Sequence, residues 1–144
     1  MWYESLVHAM RLAMPVEDPY VVAHTDNLVG LFSCIFVRQR QKALLRDSAM
    51  KTVKRGMGGR YGNKGAIVAR FVFDDSSLCF INCHLAAGQS HTRQRNQDIA
   101  AILEDGAALP RSEVTDALPY AGGGDGSMIL DHEICFVGVR VSMF

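Results

Sequence analysis

The chain has 144 residues, enough for one domain with a buried core. No apolar run approaches the roughly 18 residues of a membrane span, and acidic Glu4 stands where a secretory leader needs positive charge. The 15 Lys and Arg balance 15 Asp and Glu, yet ten of the cations lie between Arg38 and Arg70 against the single acid Asp47, a block of plus nine set against minus nine elsewhere. The sequence therefore reads as a soluble, cytoplasmic protein whose contact with membranes is peripheral. The basic block suits a phosphate-bearing partner, whether nucleic acid, anionic lipid or soluble polyphosphate, or else forms a solvated strand-and-loop face.

In chain order, Trp2, Leu6, Met10 and Leu12-Ala13 fall on one face of a short helix that Pro15 and Pro19 end. Tyr20 to Ala23 and Leu28 to Val37 are β-like, with His24-Thr25-Asp26-Asn27 as a turn between them. After a glycine-dense basic loop, Gly56 to Gly65, come strands at Ala66 to Phe73 and Leu78 to Cys83, joined by a hairpin loop at Asp74-Asp75-Ser76-Ser77. These four strands predict an antiparallel or mixed sheet. Beyond His84 the period becomes helical, with Ser90 or Thr92 as cap and Ile99, Ile102 and Leu103 as an apolar stripe until Gly106. Residues 107–127, with Pro110, Pro119 and Gly122-Gly123-Gly124-Asp125-Gly126, read as a mobile loop, and Ile134 to Val137 as one more buried strand. Cys34, Cys79, Cys83 and Cys135 sit in apolar runs without Cys-x-x-Cys or zinc-like spacing. They read as small buried hydrophobes in a reducing compartment rather than as metal ligands or disulfides.

The glycine loop matches neither nucleotide motif. Asn63 separates Gly62 from Lys64 and Gly65 follows, so the P-loop's Gly-Lys-Ser/Thr is missing, and Tyr61 stands where a dinucleotide fingerprint needs glycine. What remains is an amide-rich loop with Arg60 and Lys64 beside it. It can form an anion-binding nest or a plain hairpin turn. His84 ends a strand and is followed by small Ala86-Ala87-Gly88, which leaves room for a substrate; the alternative is a packed or surface histidine. His8, His24, His91 and His132 have no assignable role.

At these residues the chain resembles a known family. Gly-x-Gly-Gly-x-Tyr-Gly-Asn-Lys-Gly from Gly56, then Asn82-Cys83-His84-Leu85-Ala86-Ala87 and Arg95-Asn96-Gln97-Asp98, is similar to the catalytic domain of the inositol polyphosphate 5-phosphatases, within the endonuclease/exonuclease/phosphatase superfamily. The likeness is strongest to fungal synaptojanin-related and WD-repeat-bearing forms and runs from about Tyr20 to Val137. It implies an α/β fold, a four-layer α/β/β/α sandwich with two mixed, mostly antiparallel sheets, and a magnesium-dependent removal of the 5-phosphate by in-line attack. It also implies that His84 hydrogen-bonds the scissile phosphate, that Asn63, Lys64 and Arg60 approach the inositide headgroup, and that Asn82, Arg95 and Asn96 support the histidine loop.

The family pattern also has parts that this chain lacks. Nothing before Tyr20 resembles the family's Trp-Asn strand or its metal-binding Gln-Glu motif. After Gly138, Val139 stands where the base-activating aspartate belongs and Val141 where the asparagine belongs. Neither side chain can take a proton or bind a metal. The expectation is an internal fragment truncated at both ends, with 139–144 as a divergent tail, no metal ligands of its own, negligible catalysis alone, and poor solubility from uncovered strands. A nuclease of the same superfamily and a non-catalytic module binding phosphoinositides or protein are the alternative functions; the Asn63-Lys64 loop belongs to the inositide branch and speaks against nucleic acid.

Overall fold

The computed structural model describes residues 2–28, 30–56, 63–106, 109–112, 120 and 123–141. Helix α1, Trp2–Ala13, leads into the antiparallel pair β1, Tyr20–Leu28, and β2, Leu31–Arg38. A second sheet has the order β3, Leu45–Arg55; β4, Lys64–Phe73; β5, Ser76–Leu85; and β6, Ile134–Val141. Its first three strands are antiparallel and β6 runs parallel to β5. Helix α2, Thr92–Ala101, follows β5 and continues as a wider turn through Ile102–Gly106.

Burial explains the layering. β4 is an almost unbroken apolar run, Ala66 to Val72, and it is buried on both faces as a central strand must be. One face of the sheet places Val53, Ala66, Val68, Cys79, Ile81, Cys83 and Leu85 against Ile102, Leu109 and Ile129, with Ile99 of α2 packed alongside. Ile102 and Ile129, almost wholly buried, each contribute roughly 1.5–3 kcal/mol. The other face meets β1–β2 through Ile67, Leu28 and Leu31. Polar links reinforce that contact: the His24 ring lies 2.6 Å from Ser48 Oγ, and Thr52 donates to Asp26 at 2.9 Å. Helix α1 lies outside β1–β2, with Tyr3, Val7 and Arg11 facing Tyr20, Val22 and Phe36 across a cavity. The order α1, β1–β2, β3–β6, α2 is the expected four-layer arrangement in partial form.

Several local expectations change. The polar run His24 to Asn27 is not a turn; β1 continues through it to Leu28, because these side chains reach across to the facing sheet. β3 was not expected at all, its apolar residues being interleaved with cations and broken by a bulge where Asp47 takes φ 48. The hairpin loop shortens to Asp74-Asp75, since Ser76 and Ser77 belong to β5. Neither Ser90 nor Thr92 caps α2; His91 holds that place without a side-chain bond, while Thr92 bonds back to the Gln89 carbonyl. β6 forms where expected and extends to Val141, but every residue in it is exposed, because among the described residues no element lies beyond it. Cys79 and Cys83 are buried as expected, whereas Cys34 is half-buried and Cys135 exposed.

The segment 107–127 lies partly outside the described residues, and its described parts are fastened. Leu109 N–H donates to Ser127 O at 2.7 Å and Ser112 N–H to Asp125 O at 3.1 Å. Beneath them Arg70, only 2% exposed, pairs with Asp47 at 2.9 Å and donates to the carbonyls of Pro110 and Gly126. Tyr120 donates to the same Asp47 carboxylate and sets its ring edge against His132. Burial, followed by the bond to Asp47, pushes the Tyr120 hydroxyl up to about 12.

Removing one member of such a buried pair strands the other charge. Arg70→Ala is expected to lower stability by about 3–5 kcal/mol in urea denaturation, whereas loss of the exposed Arg40 partner of Asp18 costs at most about 1 kcal/mol. Burial also lowers the proton affinity of His24, His84 and His132. The folded protein then binds fewer protons than the unfolded chain, so stability is full above about pH 6.5 and falls as pH drops below it. Urea midpoints measured at about pH 7.5 and about pH 5.5 should show the decline, and His132→Asn, which keeps a donor near the Ile129 carbonyl, should reduce it.

Candidate functional site

Strand register gathers the candidate residues at one end of the larger sheet. Gly65 pairs with His84, and His84 pairs with Arg140 on β6. Lys64 opens β4 and Asn63 precedes it, so both share that end with the histidine. Residues 80, 82 and 84 alternate onto the face toward β1–β2, while 79, 81, 83 and 85 enter the helix-side core. Asn82 donates to Phe32 O at 3.1 Å and Ser33 Oγ at 3.0 Å, which ties the end of β5 to β2.

Two glycines make the close approaches here possible. Gly30, at φ 80 in the β1–β2 turn, would place a Cβ 3.1 Å from His84 Nδ1. Gly65, at φ 144, would drive a Cβ to 2.0 Å from the Val53 carbonyl oxygen. Any side chain at Gly65 would push β3 away from β4 just where Lys64 begins. Arg140 donates to the Gly30 carbonyl at 3.0 Å, so turn, imidazole and guanidinium form one packed corner.

His84 is 7% exposed. Its proton affinity falls below the ordinary imidazole range, first because burial disfavours the charged ring and then because Lys64 and Arg140 are close by. At neutral pH the ring is therefore uncharged, with one nitrogen able to donate and the other to accept. An arriving anion would offset both cations and favour the imidazolium.

Arg95 donates to the carbonyls of Ala86, at 3.2 Å, and Gly88, at 2.6 Å, and also to Thr92 Oγ1. It fastens the backbone just after His84 to the start of α2. Asn96 is exposed. Asp98 is a positioning residue that sequence reasoning missed: 3% exposed, it accepts from Arg55 at 3.3 Å and Gln94 at 3.1 Å. It thereby anchors the end of β3, where the glycine loop departs, to α2. Arg140 was missed as well, since only the parallel register of β6 brings it to His84. Arg60 lies outside the described residues.

The basic block divides. Arg38 and Arg40 pair with Asp18, Arg55 with Asp98 and Arg70 with Asp47, and Arg46 donates to the Asp74 carbonyl. Those cations hold the fold together, which leaves Lys64 as the member of the block next to the histidine. Among the described residues no group of three or more His, Cys, Asp or Glu could hold a metal ion. Val139 and Val141 are exposed on β6 and offer no ligand atom. The described residues do not form a metal centre by themselves. No helix among the described residues is long and apolar enough to cross a membrane.

Known proteins share this sequence and fold. A probable inositol polyphosphate 5-phosphatase of Schizosaccharomyces pombe is 49% identical over 94% of the chain, and the Caenorhabditis elegans synaptojanin is 41% identical over 72% of it. The chain spans only 11% and 9% of those proteins' lengths. Among solved structures, the inositol polyphosphate 5-phosphatase domain of SPsynaptojanin, in complex with inositol (1,4)-bisphosphate and calcium ion, superposes with a TM-score of 0.72. It is 26% identical, and the match covers 94% of this chain and 35% of that one. The model of Endonuclease/Exonuclease/phosphatase family 2 matches residues 1–138. That match takes in α1, which lies before the expected limit at Tyr20, and stops at Gly138. The chain belongs to the endonuclease/exonuclease/phosphatase family.

Proposed function

We propose that this chain is the phosphate-holding part of an inositol polyphosphate 5-phosphatase domain, and that the complete domain hydrolyses the 5-phosphate monoester of a phosphoinositide or a soluble inositol polyphosphate. The observation that carries the reading is His84, held neutral at a strand end with Lys64 and Arg140 nearby. Similarity to proteins named as 5-phosphatases supports it. The complete domain would use magnesium, with ligands and general base supplied from outside this chain. Contact with a lipid-borne substrate would be peripheral.

In this reading a phosphate dianion docks against Lys64, which acts as a point charge. His84 then takes up a proton and donates to a phosphate oxygen. That bond strengthens as charge spreads over the equatorial oxygens in the transition state, so it serves turnover more than ground-state binding. Asn82, Arg95 and Asp98 hold the histidine and the loop in place without touching substrate. Asn63, adjoining Lys64, reaches toward the headgroup, and Arg60, outside the described residues, is assigned to the same headgroup by the family motif.

The test is made in the full-length protein that carries this chain. His84→Ala should lower kcat on the order of 100-fold. Lys64→Ala should act mainly on KM, raising it about tenfold. In the 144-residue chain itself, inositol 1,4,5-trisphosphate, which carries the 5-phosphate, should shift the His84 ring resonance toward the protonated form at fixed pH while no phosphate is released. Unchanged turnover after His84→Ala, or an unmoved His84 resonance at saturating ligand, would remove the assignment.

A further inference from the structure

We propose that Cys79 and Cys135 form a redox pair that closes a disulfide between β5 and β6 by exchange with a low-molecular-weight disulfide such as glutathione disulfide. Arg70, Cys79 and Cys135 lie in register across β4, β5 and β6. Register partners on adjacent strands sit about 4.8 Å apart and project to the same side, within the roughly 4.4–6.8 Å Cα separation that a disulfide spans. Both sulfurs are on the helix-side face. Cys79 belongs to the core cluster that contains Ile129, and Cys135 Sγ donates to the Ile129 carbonyl at 3.3 Å. Neither remaining cysteine can substitute in this register. Cys83 pairs with Val139, and Cys34 lies on the other sheet opposite Thr25.

Accessibility assigns the order of events. Cys135 is exposed and Cys79 fully buried, so the small disulfide meets Cys135 first. The Cys135 thiolate attacks one sulfur of glutathione disulfide, forming the mixed disulfide and releasing one glutathione thiolate. Cys79 gives its proton to solvent, attacks the Cys135 sulfur and releases the second glutathione. Two protein thiols are oxidised and one glutathione disulfide is reduced to two glutathiones. Burial holds Cys79 up to about 12 and raises Cys135 as well, so closure is slow and needs sustained oxidation rather than a brief peroxide pulse. The bond would staple the exposed strand bearing Arg140 to the strand bearing His84.

The experiment incubates the folded chain in a glutathione buffer of increasing oxidised fraction, followed by alkylation and peptide mapping, with fragmentation to distinguish Cys79 from Cys83. The expected product is one internal crosslink, Cys79 to Cys135, with loss of two hydrogen atoms, reversal by dithiothreitol and a raised urea midpoint. Cys34→Ser should retain it, and Cys135→Ser, a surface change, should abolish it; Cys135→Ala serves as a second variant. Arrest at a Cys135–glutathione adduct, linkage through Cys34 or Cys83, or absence of any crosslink in the folded protein would each overturn the proposal.

Discussion

Strand β5 is constrained on both faces, and the site depends on that constraint. Its odd-numbered side chains from Cys79 to Leu85 fill the helix-side core, so Phe80, Asn82 and His84 must turn to the other sheet. A slip of one residue would exchange the faces, placing an imidazole and an amide among Ile102, Leu109 and Ile129. Core packing therefore selects the histidine's direction before any ligand is involved. Phe80 strengthens the selection by stacking on Phe136 at 4.8 Å and meeting Phe71 edge-on.

Electrostatics act within that frame. Arg38, Arg40, Arg46, Arg55 and Arg70 are committed to internal partners, with Arg70 and Arg55 holding loops and helix to the sheet. Lys64 and Arg140 instead bear on the imidazole. One comes from the start of β4 and the other from β6, so the local field at His84 is a product of tertiary register rather than of charge density along the chain. A net count over Arg38 to Arg70 overstates the charge offered to a ligand.

The sequence revealed the parts whose signal is local. The apolar run of β4, the core of β5, a turn beginning at Asp74 and the family motifs around Asn63-Lys64 and His84 could be read directly. The missed features were set by partners far along the chain. Polar residues in β1 resembled a turn because Ser48 and Thr52, which satisfy them, lie on another strand. β3 was obscured by its interleaved cations and by Asp47, whose positive φ accompanies the bulge that sets its carboxylate beside Arg70. β6 looked buried because its composition is apolar, yet exposure depends on what neighbours a strand, which composition does not encode. The supporting role of Arg95 has a visible bond network, whereas Asp98 needed its distant partner Arg55 to be recognised.

The Arg70 guanidinium grips the carbonyls of Pro110 and Gly126 together. Both ends of the intervening stretch are thus held at one guanidinium, with the Arg111–Asp125 ion pair beside it. Lengthening such a stretch adds only a logarithmic entropy term, about 0.6 kcal/mol per doubling. A change of length between the two carbonyls would therefore be felt by the sheet first through Arg70 and, by way of Tyr120, through Asp47.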